Sequence, residues 1–129
     1  MAKILVVDDS YAEMQMMESI LKSAQYSVVA LPDAAHIEEI IVADKPDVIV
    51  LDIVMPGRNG FQVCRDLKSD ERFFNIPIVL CTSKGQESDR FWGVQQGASA
   101  HVVKPFKAQD LLAAVTTALE SKCERLPRC

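Results

Sequence analysis

Five short apolar runs recur along the chain, and they limit its fold more than any other feature. They read KILVV (3–7), SVVAL (27–31), DVIVL (47–51), IPIVLC (76–81) and HVVK (101–104). All are rich in Val and Ile, and their apolar character is nearly continuous instead of alternating. That pattern belongs to strands covered on both faces, as in a parallel sheet.

Between the runs the spacing turns helical. In residues 11–24, Met16, Met17, Ile20, Leu21 and Ala24 fall on one face of a 3.6-residue period. Ser10 followed by Glu13 is a capping-box pattern and predicts the helix start. Ile37, Ile40 and Ile41 predict a second helix, begun near Asp33 after Pro32. Phe61, Cys64 and Leu67 predict a third, with Asn59 as its cap. A weaker fourth is expected over 86–95. The last is expected over 107–122, on Leu111, Leu112, Val115, Ala118 and Leu119.

Strand and helix thus alternate without a linker, repeat or low-complexity tract. Short connections of this kind give right-handed crossovers, so the expected fold class is α/β: a doubly wound, five-stranded parallel sheet with helices on both faces. In such sheets the functional site lies outside the carboxyl ends of the strands. The sequence places Asp8 and Asp9 after the first strand, Asp52 after the third, Thr82 after the fourth and Lys104 at the end of the fifth. Each residue alone has a plain structural explanation as a cap, a turn opener, a strand residue or a solvated charge. Four strand ends that all deliver reactive groups to one edge make that explanation improbable. The adjacent carboxylates are the costly part, since two like charges about 4 Å apart repel by about 4 kcal/mol at an effective dielectric of 20.

Composition bounds the remaining possibilities. The chain has 129 residues, a common single-domain size, with 49% hydrophobic and 25% charged residues, as in ordinary globular domains. Its formal net charge of −4, without a basic block, argues against direct nucleic-acid binding. No apolar stretch reaches membrane-spanning length and the N-terminus lacks the apolar core of a signal peptide, so a soluble, cytoplasmic protein without membrane insertion is expected. Cys64 and Cys81 read as small core residues. Cys123 and Cys129, in a polar tail, read as cytosolic thiols; no zinc-like spacing joins the four cysteines with His36 or His101.

The motifs VVDDS, LDIVMPGRNG, CTS and VVKPF, in this order and at these intervals, resemble those of bacterial response-regulator receiver domains of the single-domain, CheY-like kind. The resemblance spans residues 3 to 121. The stretch KGQESDRFWGVQQGASAHVVKPF further resembles the branch linked to type IV pili and twitching motility. The resemblance implies the flavodoxin-like strand order 2-1-3-4-5 with five helices, a phosphoacceptor domain over 1–122 and a short polar tail over 123–129.

It also implies residue roles. Asp52 would accept a phosphoryl group from a sensor histidine kinase or phosphotransfer domain. Mg²⁺ would be held by Asp9, Asp52 and the backbone carbonyl of Val54, with Asp8 acting through water. Three carboxylates and one ammonium leave about −2, which suits a hard, partly hydrated cation. Lys104 would supply a point charge to phosphate oxygens, and Thr82 a hydroxyl donor that pulls its loop inward. Ser83 is small and leaves room for the new group. Pro105 follows the lysine through a bond that is usually cis in the family. MPGRNG supplies the turn after Asp52, with Gly57 and Gly60 able to take positive φ where the backbone must curl around the site. Val54 and Lys84, two residues after the phosphoacceptor and the threonine, orient water poorly and imply slow self-dephosphorylation.

Output is expected through protein–protein contact, since few residues follow the last helix. His101 stands where receivers usually place Tyr or Phe; its ring can fill that slot, hydrogen-bond, and charge near cellular pH. It is expected to link Thr82 to a partner face built by the fourth helix, the fifth strand and the last helix, with Phe91 and Trp92 as interface anchors. The partner would be a downstream motility or signalling protein, and the chain itself a monomer or weak dimer. An enzyme in the ordinary sense is not expected, only self-phosphorylation and self-dephosphorylation. A flavodoxin-like FMN binder fits poorly, because two carboxylates would repel its phosphate. A haloacid-dehalogenase-type phosphatase needs alternate aspartates where this chain reads Asp8-Asp9-Ser10. The serious alternative is a receiver-like scaffold that binds partners without phosphorylation.

Overall fold

The computed structural model describes residues 2–55, 57–83 and 97–125, with Thr82, Ser83 and 122–125 described by backbone alone. Its elements are β1 (Lys3–Val7), α1 (Tyr11–Ser23), β2 (Ser27–Leu31), α2 (Ile37–Asp44), β3 (Val48–Asp52), α3 (Gly60–Lys68), β4 (Ile78–Ser83), β5 (Ala100–Lys104) and α4 (Ala108–Arg125). The strands form one sheet in the order β2-β1-β3-β4-β5, and every pairing is parallel. Four helices stand among the described residues; the helix expected over 86–95 lies outside them, as do Lys84, Phe91 and Trp92.

The near-continuous apolar runs are explained by two cores. On one face Leu5, Val7, Ile49, Leu51, Ile78 and Leu80 pack with Ile37 and Ile41 of α2 and with Val63 and Leu67 of α3. On the other, Ile4, Val6, Val48, Val50, Val79 and Cys81 pack with Met17 and Leu21 of α1 and with Leu111, Val115 and Ala118 of α4. Alternate strand residues thus feed opposite cores, and each fully buried aliphatic side chain contributes about 1.5–3 kcal/mol. Cys64 and Cys81 belong to these cores, and burial pushes the Cys81 thiol up to about 12. That keeps it protonated and inert.

Element boundaries follow local hydrogen bonding. The start expected for α2 near Asp33 is four residues early, because the Asp33 carboxylate accepts from the Ala35 amide at 2.9 Å and closes a turn there. The helix begins at Ile37. The last helix runs to Arg125, three residues past its expected end. Asn59 caps α3 as expected, and Gln62 completes a reciprocal capping box. Among the described residues no helix is long and apolar enough to cross a membrane.

Candidate functional site

The parallel register brings the carboxyl ends of the strands to one edge. Val7 pairs with Leu51, Asp52 with Cys81, and Ser83 with Lys104. Chain segments from β1, β3 and β5 therefore meet above the core, where Asp8, Asp52 and Lys104 converge. Asp8 is fully buried; its amide donates to the Leu31 carbonyl at 3.1 Å and one of its carboxylate oxygens accepts from the Ser10 amide at 2.8 Å. Its other oxygen accepts from Lys104 Nζ at 3.0 Å. Asp52 is 8% exposed, with Oδ1 at 3.3 Å from the same ammonium. Asp9 points to solvent, yet Asp8, Asp9 and Asp52 each place one carboxylate oxygen within 4.8 Å of the others.

The electrostatics follow from that crowding. Burial pushes the Asp52 carboxyl up to about 6; Lys104 draws it down, while the Asp8 and Asp9 charges push it further up. Burial also works against the Lys104 ammonium, but hydrogen bonds to Glu13 and Asp8 and the charge of Asp52 outweigh it, and its pKa rises. Three oxygen-donor side chains clustered this closely, one of them resisting ionisation, fit a hard divalent cation.

The remaining expected residues are placed as follows. Val54 lies in the bend after β3 and is 70% exposed. The backbone of Thr82 and Ser83 ends β4 beside Val103 and Lys104. The Lys104–Pro105 bond is cis. His101, three residues before the lysine on β5, lines a cleft of about 420 Å³ with Asp110, Ala113 and Thr117 of α4. Gly57 has φ +76°, as expected, but Gly60 does not have positive φ. A Cβ at Gly60 would lie 2.7 Å from the Asp52 carbonyl oxygen and 2.8 Å from Ile53 Cα, so glycine is required there by close approach.

Two participants escaped the sequence reading. Glu13 is the third carboxylate on Lys104, accepting a hydrogen bond from Nζ. The capping box expected of it is half formed: Ser10 Oγ accepts from the Glu13 amide at 3.4 Å, while the Ser10 amide is taken by Asp8. The cap motif drew attention to a local role; the signal for the other was an acidic residue in the first turn of a helix that starts at the site edge. Arg58 was read only as part of a turn. It forks onto both oxygens of Glu38 at 2.9 Å, donates to the Ala34 carbonyl at 2.9 Å and reaches Asp66 at 3.2 Å. This ties the loop after β3 to α2; the guanidinium holds Glu38 below the usual carboxylate range.

Comparison with known proteins decides the family. The model of the response regulator receiver domain matches residues 4–116. The chain belongs to this family. A curated relative, Protein PilH of Pseudomonas aeruginosa, is 39% identical over 119 residues, which cover 92% of this chain and 98% of that protein. Among solved structures, the chemotaxis protein CheY4 of Vibrio cholerae superposes with a TM-score of 0.84 at 30% identity, covering 92% of this receiver and 99% of that chain. A response regulator receiver domain protein from Clostridium thermocellum gives 0.87 at 25% identity, covering 98% and 100%. Receiver domains are signalling modules of two-component systems that bind Mg²⁺ through an acidic pocket, and Asp8, Asp9 and Asp52 form an acidic cluster among the described residues.

Proposed function

We propose that this receiver accepts a phosphoryl group on Asp52 from a phosphohistidine of a sensor kinase or phosphotransfer domain. The observation that carries this reading is the convergence of three aspartates within 4.8 Å, with Lys104 Nζ 3.3 Å from Asp52 Oδ1. The Asp52 carboxylate oxygen attacks phosphorus, the P–N bond of the donor breaks, and the imidazole leaves with the bonding pair. Phosphoryl transfer asks mainly for positioning and charge neutralisation. Lys104 holds one positive charge against the developing oxyanions. Asp9, Asp52 and the Val54 carbonyl would hold Mg²⁺ directly and Asp8 through water; the ion supplies the second positive charge. Thr82 would donate its hydroxyl to the phosphorylated aspartate, with Ser83 leaving space beside it.

The output is phosphorylation-dependent protein–protein contact through a face that includes β5 and α4, in pilus-based motility within the cytoplasm. The likeness to PilH supports the pathway, and His101 on β5 supports the face. Incubation with Mg²⁺ and acetyl phosphate, read by intact mass, tests the reading. One phosphate is expected on the wild type and none on Asp52→Asn, while Asp9→Ala abolishes both Mg²⁺ binding and phosphorylation. A wild type that gains no phosphate would leave a phosphorylation-independent interaction scaffold. Phosphorylation retained in Asp9→Ala would show the metal seat to be misassigned.

A further inference from the structure

The ammonium of Lys104 has three N–H donors, and three carboxylates surround it: Asp8 at 3.0 Å, Asp52 at 3.3 Å and Glu13. Phosphorylation converts the Asp52 carboxylate itself into an acyl phosphate whose charged oxygens lie beyond Oδ1. Nζ must shift to meet them, so one of the two carboxylates that accept its hydrogen bonds, Asp8 or Glu13, must give way. Asp8 is the wrong one to release. It is fully buried, so losing the ammonium costs it more than it costs an exposed carboxylate, even with the Ser10 amide still donating to its other oxygen. Glu13 is different, with a side chain 39% exposed and a place in the first turn of α1. Released from the lysine, its carboxylate meets water and the positive end of the helix, both of which favour it.

We propose that Glu13 is a positioning residue: it holds Lys104 in the resting receiver and yields it to the phosphoryl group on Asp52. This rests on the phosphoacceptor reading of Asp52 given above. The held lysine has a second consequence. With Glu13 the site carries four carboxylates against one ammonium, which strengthens its pull on a divalent cation. Glu13 therefore favours metal entry and opposes the lysine-to-phosphate exchange, so its removal moves two measurable quantities in opposite directions.

Glu13→Gln keeps the length of the side chain and removes its charge. Two measurements are made on wild type and variant: the Mg²⁺ dissociation constant of the unphosphorylated chain by calorimetry, and the initial rate of phosphorylation by acetyl phosphate at saturating Mg²⁺. The expected result is Mg²⁺ affinity lowered and phosphorylation rate raised, each about two- to fivefold, the range of a half-exposed ion pair. Glu13→Ala should shift both in the same directions whatever it does to the melting temperature, because loss of structure alone lowers both. A rate that is unchanged or lower in both variants, with the wild type phosphorylated normally, overturns the role of Glu13 and leaves Asp52 as phosphoacceptor. A wild type that takes no phosphoryl group overturns both readings together.

Discussion

Asp52 is the residue at which the needs of the fold and the site conflict. Its carboxyl sits near 6 because burial disfavours the charge and two neighbouring aspartates add to the cost, against the pull of Lys104. The unfolded chain titrates near the ordinary value of about 4. Between these values the folded chain holds more protons than the unfolded one, so stability falls as pH rises through that window and then levels off. With Mg²⁺ chelated, wild type is expected to lose on the order of 1–3 kcal/mol between pH 4 and pH 7 relative to Asp52→Asn. Urea unfolding of both proteins across that range checks it, and parallel pH profiles would show that the strain lies elsewhere. The same proton competes with the cation: Mg²⁺ affinity should weaken as pH falls through about 6.

At the scale of elements, the seam between β3 and α3 sets where Asp52 stands. The Gly60 amide donates to the Ile53 carbonyl at 2.8 Å, which draws the helix start against the strand end. A Cβ at Gly60 would press on backbone, which cannot swing aside as a side-chain tip can. Gly60→Ala is expected to destabilise by about 1–3 kcal/mol, as overpacking does, despite a helix-propensity gain of up to about 1 kcal/mol. Because the displaced carbonyl is that of Asp52, Mg²⁺ affinity should fall too. Gly57→Ala, with open space around its Cβ position, should cost only the strain of its left-handed backbone. Denaturant midpoints and Mg²⁺ titrations of the two variants separate these effects; equal metal affinity in both would show that the seam does not position the site. The sequence announced Gly60 as special but for the wrong reason, since close approach of two backbones is a tertiary fact. The strands were legible because double burial leaves a continuous apolar signature, and α3 because the spacing of Phe61, Cys64 and Leu67 and the Asn59 cap are local signals. The α2 start and the partner of Glu13 were not. Asp33 serves a turn as readily as a helix cap, and the lysine that claims Glu13 is 91 residues away in sequence.

On the scale of the whole molecule, the sheet order decides which strand can report on the site. β5 ends the sheet among the described strands and is hydrogen-bonded to β4 alone, so it is held from one side only. Thr82 pairs with Val103 and Leu80 with His101, which sets His101 two residues along the edge from the partner of Thr82 and three from Lys104 at the strand end. Its ring lines the cleft between β5 and α4, where Asp110 also stands. A shift of the Thr82 backbone toward a phosphoryl group would pass along this pairing to the cleft, on a surface remote from the chemistry. The order 2-1-3-4-5, and with it this adjacency, was readable from the motifs only through the family resemblance, because short runs do not state their neighbours. The ring resonances of His101 should therefore move when acetyl phosphate and Mg²⁺ are added to wild type. They should stay in place in Thr82→Ala, although its Asp52 still gains phosphate. Ring signals that do not respond in the phosphorylated wild type would mean that the site communicates with its surface by another path. Signals that move equally in Thr82→Ala would keep His101 as a reporter and remove the threonine from the route.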